Sequence, residues 1–193
     1  TEEEHLEGEA ALVVRGSWGT KVEAVTRRVL WLLDGDRPGA SPDVKAIVFS
    51  EWEDALRVVA AALRANGVAA EHPSGGGRKL RDAIERFKRP AEAASEGQRE
   101  RGGGSGANDR GVVVVPNGTE PPPRVLLMPL RRGANGLNLT EAQHVILLEP
   151  VLDPGAEAQA MKRVDRIGQT RPTCVHRFLL AGTVEENVQE LSR

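Results

Sequence analysis

Short apolar runs that alternate with stretches of helical periodicity constrain this chain more than any other feature. Lys45-Ala-Ile-Val-Phe49 is a compact, strand-forming run. Leu56, Val59 and Leu63 follow at helical spacing, and Asn66-Gly67 closes that pattern with residues suited to the turn that ends a helix. A short strand at 68–71 leads through Ser74-Gly-Gly-Gly77 into a second amphipathic pattern, marked by Leu80, Ile84 and Phe87. The alternation resumes later. Strands are expected at 124–128 and 144–149, a helix at 154–166, a strand at 173–179, and a last helix opened by the capping-box pattern Thr183-Val-Glu-Glu186. A helix carrying Val22, Val25, Val29, Leu32 and Leu33 precedes them all. Strands that alternate with helices build a mainly parallel sheet covered on both faces, a three-layer α/β sandwich. Ligands of such sheets sit at the carboxyl ends of the strands, so the turns after Phe49, Met128 and Glu149 are the places to look.

A chain of 193 residues with 39% hydrophobic content can fill one core well, and two only with difficulty. One domain is therefore expected at 20–193, after an acidic linker or tail of a preceding module at 1–19. From 89 to 123 the composition turns to Gly, Pro, Ala, Ser and charge, with Gly-Gly-Gly-Ser-Gly and three successive prolines, which predicts a disordered surface insertion. Within it Val112–Val115 reads equally as a stray strand or an apolar patch of loop. From the opening on Thr1 and the end on Arg193 inside a helical pattern, a piece of a longer chain is expected.

The formal net charge of −2 removes any bulk electrostatic argument for nucleic acid, so a DNA contact has to be local. No apolar run is long enough to cross a membrane, and the acidic start is unlike a signal peptide. A single cysteine, Cys174, excludes an internal disulfide and reads as a core strand residue; the histidines His5, His72, His144 and His176 lack the close spacing of a zinc motif, so no metal ligand is assigned. No G-x-x-x-x-G-K-[ST] loop and no D-E-x-H string occur, and without them the chain has no ATP or magnesium site of its own.

The most informative string is Gln159-Ala-Met-Lys-Arg163-Val-Asp-Arg166-Ile-Gly-Gln169-Thr. On one continuous helix Gln159, Arg163 and Arg166 stand at i, i+4 and i+7, so two guanidinium groups and an amide share a face. Guanidinium forks suit phosphate oxygens and stabilise charge on a transferring phosphoryl group. Two arginines alone fit equally a solvated helix face, with Arg163 paired to Asp165 or Glu157. Ser50 with Glu53 fits a helix N-cap, and the free amides of that helix start can also hold a phosphate.

The string, preceded by Gly136-Leu-Asn138-Leu-Thr140, Glu149-Pro150 and Asp153-Pro154, resembles motifs V and VI of the Swi/Snf branch of superfamily 2 helicases. Lys45–Ser50 resembles motif IV of the same family, and Gly16–Val25 with Val175–Phe178 resembles its SHPRH type of RING-bearing ubiquitin ligase. The resemblance implies a RecA-like fold, the second lobe of a P-loop NTPase-type motor. It implies that Arg163 and Arg166 act as arginine fingers on ATP, with Gln159, Gly133 and Gly136 beside the nucleotide, and that ATP and magnesium are held mainly by a first lobe absent here. Partners implied are that first lobe of the same protein, double-stranded DNA alone or in nucleosomes, and a ubiquitin-conjugating enzyme recruited by a RING outside this chain. The setting implied is nuclear, and the isolated piece is expected to be inactive. Ser50, at the helix start, is assigned to a DNA phosphate; Arg131 and Arg132 can replace by charge the hydroxyl contact that the motif lacks here, and read equally as solvated arginines. Three departures from the pattern stand out: Asp165 replaces a common His, Lys162 a common Gly, and Pro129-Leu130 the usual small hydroxyl residues. They leave open a second reading, a catalytically weak lobe retained as a DNA- or protein-binding scaffold in a ubiquitin ligase.

Overall fold

In the computed structural model, residues 8–36, 41, 43–73, 75, 77–90, 122–133 and 137–191 are described. Their elements are α1 (Thr20–Leu33), β1 (Ala46–Ser50), α2 (Glu53–Ala65), β2 (Ala70–Glu71), α3 (Gly77–Lys88), β3 (Val125–Pro129), α4 (Leu130–Gly133), β4 (His144–Leu147), α5 (Pro154–Val164), β5 (Cys174–Arg177) and α6 (Val184–Leu191). The five strands form one sheet in the order β2-β3-β1-β4-β5, and every pairing is parallel. The register sets Ala46 beside both Val125 and His144, and His144 beside Cys174. From β1 the chain winds outward to β2, returns to β3, then crosses β1 to reach β4 and β5. The winding thus reverses between β1 and β4, where a parallel sheet opens its ligand crevice.

Period-two alternation divides the strand residues between two cores. Ala46, Val48, Val125, Leu127 and Ile146 pack under Val25, Val29 and Leu32 of α1 and Leu56, Val59 and Leu63 of α2. Ile47, Phe49, Leu126, Met128, Val145 and Leu147 face Ile84 and Phe87 of α3, Leu130, and Ala160 and Val164 of α5. Because β1 is buried along its whole length, its sequence is a continuous apolar run rather than an alternating one. The expected three-layer α/β sandwich is present.

Several local expectations are corrected. Ser50 is the last residue of β1, and Trp52 occupies the N-cap of α2 without a side-chain cap, so the Ser50–Glu53 capping box does not form. The turn expected after Met128 contains a helical turn, α4, that begins directly after Pro129. Cys174 is exposed rather than in the core, because β5 is the edge strand. At α6 the box forms in modified shape: Thr183 Oγ1 accepts the Glu185 N–H at 3.3 Å, while Glu186 Oε2 accepts from Gly182 N rather than Thr183 N.

Residues 8–19, read from the sequence with the linker or tail, contact the sandwich at named points. Glu9 pairs with Arg28 at 2.9 Å, and the side chain of Asn66 both accepts from Arg15 N at 2.7 Å and donates to Arg15 O at 3.1 Å. Gly16 has φ +95°, and a Cβ there would lie 2.4 Å from Trp18 Nε1, so the turn between Arg15 and Trp18 closes only with glycine. The expected insertion at 89–123, including Val112–Val115, lies outside the described residues except at its ends, as does Gly136. No helix of the described residues is long and apolar enough to cross a membrane.

Candidate nucleotide-facing site

The site is assembled where α5 ends. Asp153 caps that helix, its Oδ1 accepting the Gly155 N–H at 2.8 Å, and Pro154 fills a first-turn position whose amide needs no partner. Buried Ala160 and Val164 hold α5 to the sheet. The helix stops at Val164: Asp165 turns out with ψ 89° while its N–H still bonds Met161 O at 2.8 Å. Arg166 therefore lies beyond the helix, and the expectation that Gln159, Arg163 and Arg166 share one helical face is corrected. Gln159 and Arg163 remain on α5, Gln159 exposed and Arg163 half-buried; Arg166 is presented from the following turn, exposed beside Ile167.

That turn is tied down by a residue to which the sequence reading assigned no role. Gln169 Nε2 donates to Thr140 O at 3.0 Å and to Ala142 O at 2.9 Å, and Gln169 N bonds Arg166 O at 2.9 Å across Gly168, whose φ is +106°. A second stitch runs from Leu139 N to Arg163 O at 2.9 Å. The segment before β4 and the turn after α5, distant in sequence, thus form one bonded unit around both arginines. The only sequence signal for the clamp was the position of Gln169 within the motif.

Ser50 and Glu149 meet at the reversal of the winding. Ser50 is 2% exposed; its Oγ donates to Glu149 Oε2 at 3.0 Å and accepts the Trp52 N–H at 3.0 Å. Glu149 Oε1 accepts the Glu51 N–H, so one carboxylate straps the β1–α2 turn to the end of β4. Burial pushes the Glu149 carboxyl above its ordinary range, opposed by the hydrogen bonds from Glu51 and Ser50. Arg131 is exposed on α4 and Leu130, before it, is buried; Arg132 and Gly133 complete that turn.

Glu157, weighed from the sequence as a partner for Arg163, bonds Arg177 of β5 instead. The groove between α5, β5 and α6, lined by Glu157, Met161, Arg177 and Gln189 among others, includes neither Arg163 nor Arg166. As donors, two arginines and an amide suit phosphate oxygens. They offer no anionic oxygen to magnesium, which takes carboxylates and water.

A five-stranded parallel sheet with this winding and helices on both faces defines a RecA-like α/β lobe. No protein-family model matches the chain. Over most of its length the chain is homologous to SHPRH and to Swi/Snf-type helicases. It is 39% identical to human E3 ubiquitin-protein ligase SHPRH over 183 residues, 95% of this chain and 9% of that protein. With the Arabidopsis thaliana helicase-like transcription factor CHR28 it shares 32% identity over 154 residues, 80% of this chain and 13% of that protein. It thus spans less than a tenth of the length of the SHPRH protein it matches. Among solved structures, the C-terminal part of the Fun30 ATPase domain superposes with a TM-score of 0.65 at 17% identity, covering 100% of this chain and 54% of that one. That likeness bears out the fold.

Proposed function

We propose that this chain is the second motor lobe of a DNA-dependent ATPase, and that Arg163 and Arg166 reach ATP and magnesium held by a first lobe of the same protein. The observation that supports this most is the bonded unit around α5. Gln169 and Leu139 hold the backbone on either side of Val164, so a half-buried and an exposed arginine are presented from a fixed frame at the amino edge of the sheet, beside the segment that leads into β4. Positioned guanidinium groups of this kind stabilise phosphoryl-transfer charge by three to five orders of magnitude in related chemistry. Gln159, Gly133 and Gly136 are assigned to the nucleotide side of the same cleft. Ser50, Arg131 and Arg132 are assigned to the strand of duplex DNA, bare or nucleosomal. Ser50 acts through the backbone of its turn, because its hydroxyl is engaged with Glu149 and Trp52. Relatives named as an E3 ubiquitin-protein ligase and as a DNA repair protein support this reading. A nuclear ligase with its RING and ubiquitin-conjugating enzyme outside this chain is the matching context.

The test uses a protein containing both lobes. Arg163→Ala and Arg166→Ala are each expected to lower DNA-stimulated ATP turnover by about 100-fold or more, with ATP affinity changed by less than about threefold. Turnover that survives both substitutions would falsify the motor reading.

A scaffold reading is favoured by Leu130, whose buried side chain stands where the motif's small hydroxyl residue would meet a phosphate. It requires ubiquitin transfer to continue in a full-length protein that shows no DNA-stimulated hydrolysis.

A further inference from the structure

On the α1/α2 face of the sheet, opposite α5, the structure gathers three side chains the motor reading does not use. His144 opens β4, and Cys174 is its direct neighbour in the parallel register with β5. His176 lies two residues further along β5, so period-two alternation puts all three on one face of the sheet. His144 Nδ1 and His176 Nε2 are 3.1 Å apart, although 32 residues separate them in the chain. The ligand atoms of His144, Cys174 and His176 all lie within 4.8 Å of one another. Two nitrogens bound at about 2.0–2.1 Å to one tetrahedral zinc stand roughly 3.3 Å apart, so the histidine pair already has the spacing of two zinc ligands.

We propose that His144, Cys174 and His176 form a three-ligand site for a divalent transition metal of the zinc class at the sheet edge. Imidazole and thiolate donors select zinc over magnesium or calcium, which take oxygen. Cys174 is exposed, so the fourth position of a tetrahedron opens to water. Its thiol releases a proton to solvent as the sulfur binds. The nearby cation is Arg28, and Glu9 neutralises it at 2.9 Å. A metal here bridges β4 to the edge strand β5 and adds to the stability of that edge by mass action.

Cys174 is the only cysteine of the chain, so its alkylation reports on this site alone. With the full chain, equimolar zinc is expected to slow iodoacetamide labelling of Cys174 by at least about tenfold, while magnesium leaves the rate unchanged. Cobalt in place of zinc should produce a thiolate-to-cobalt charge-transfer band in the unsubstituted protein. His144→Gln and His176→Gln, with folding checked by circular dichroism, should each restore labelling to within about twofold of the metal-free rate. The site is overturned if zinc gives no protection and cobalt no such band, or if protection survives in both histidine variants.

Discussion

Glu149 shows how one residue serves structure and charge at once. Its carboxylate is drawn into the sheet edge to hold the β1–α2 turn, and desolvation raises its folded pKa above the ordinary value of 4.5. A carboxyl raised on folding binds more protons in the native state than in the unfolded chain. Its stabilising contribution is therefore complete below about pH 4.5 and declines as pH rises through the folded value. Glu149→Gln keeps one oxygen for the turn and removes the titration. Urea denaturation across that window should show a flatter pH dependence in the variant than in the unsubstituted protein, and equal slopes would contradict the assignment. Lys45 is a second case, 4% exposed, with its ammonium donating to Phe87 O and to Arg89 O at the end of α3. Cations at a helix carboxyl terminus are favourable, and here the cation also satisfies carbonyls that burial would leave bare. Lys45→Met is expected to cost about 1–3 kcal/mol in equilibrium unfolding, the penalty of leaving such groups unpaired.

At the scale of elements, the decisive object is the end of α5. Its start is local chemistry: an Asp cap, a proline in the first turn, then helix formers. Its stop is not, because no glycine or proline stands between Val164 and Arg166. The chain leaves the helix there while Gln169 takes the carbonyls of Thr140 and Ala142 and the carbonyl of Arg163 accepts from Leu139. Gln169→Ala should accordingly loosen the turn that bears Arg166 without touching nucleotide. In a two-lobe protein the expected result is a fall of about tenfold in turnover with ATP affinity retained, since misplaced groups cost rate before binding. An unchanged turnover number would show that the clamp does not position the arginines. Removal of the cap by Asp153→Ala is expected to cost about 1 kcal/mol, read from the chemical denaturation midpoint.

For the whole molecule, one sheet shared by two cores should make unfolding a single event. Phe87→Ala, on the α3/α5 face, is expected to destabilise by about 3–5 kcal/mol. Trp31 packs in the opposite core. Tryptophan fluorescence and far-ultraviolet circular dichroism should nevertheless give coincident transitions in that variant. Separate transitions would mean that the faces melt independently.

The sequence by itself determined the alternation of strand and helix, the parallel sheet and the resemblance carried by the motif. Those depend on periodicity and capping, which are local, and on a motif string long enough to be specific. Only the tertiary structure decided that Arg166 lies beyond α5, that Ser50 is claimed by Glu149, that Cys174 is exposed, and that His144 meets His176. Each of these depends on which distant segment lies alongside. A histidine 32 residues from another has no neighbour in a sequence, but the β4–β5 register brings the two rings to 3.1 Å. Likewise the side-chain amide of Gln169 ends a helix by reaching carbonyls that only the fold delivers.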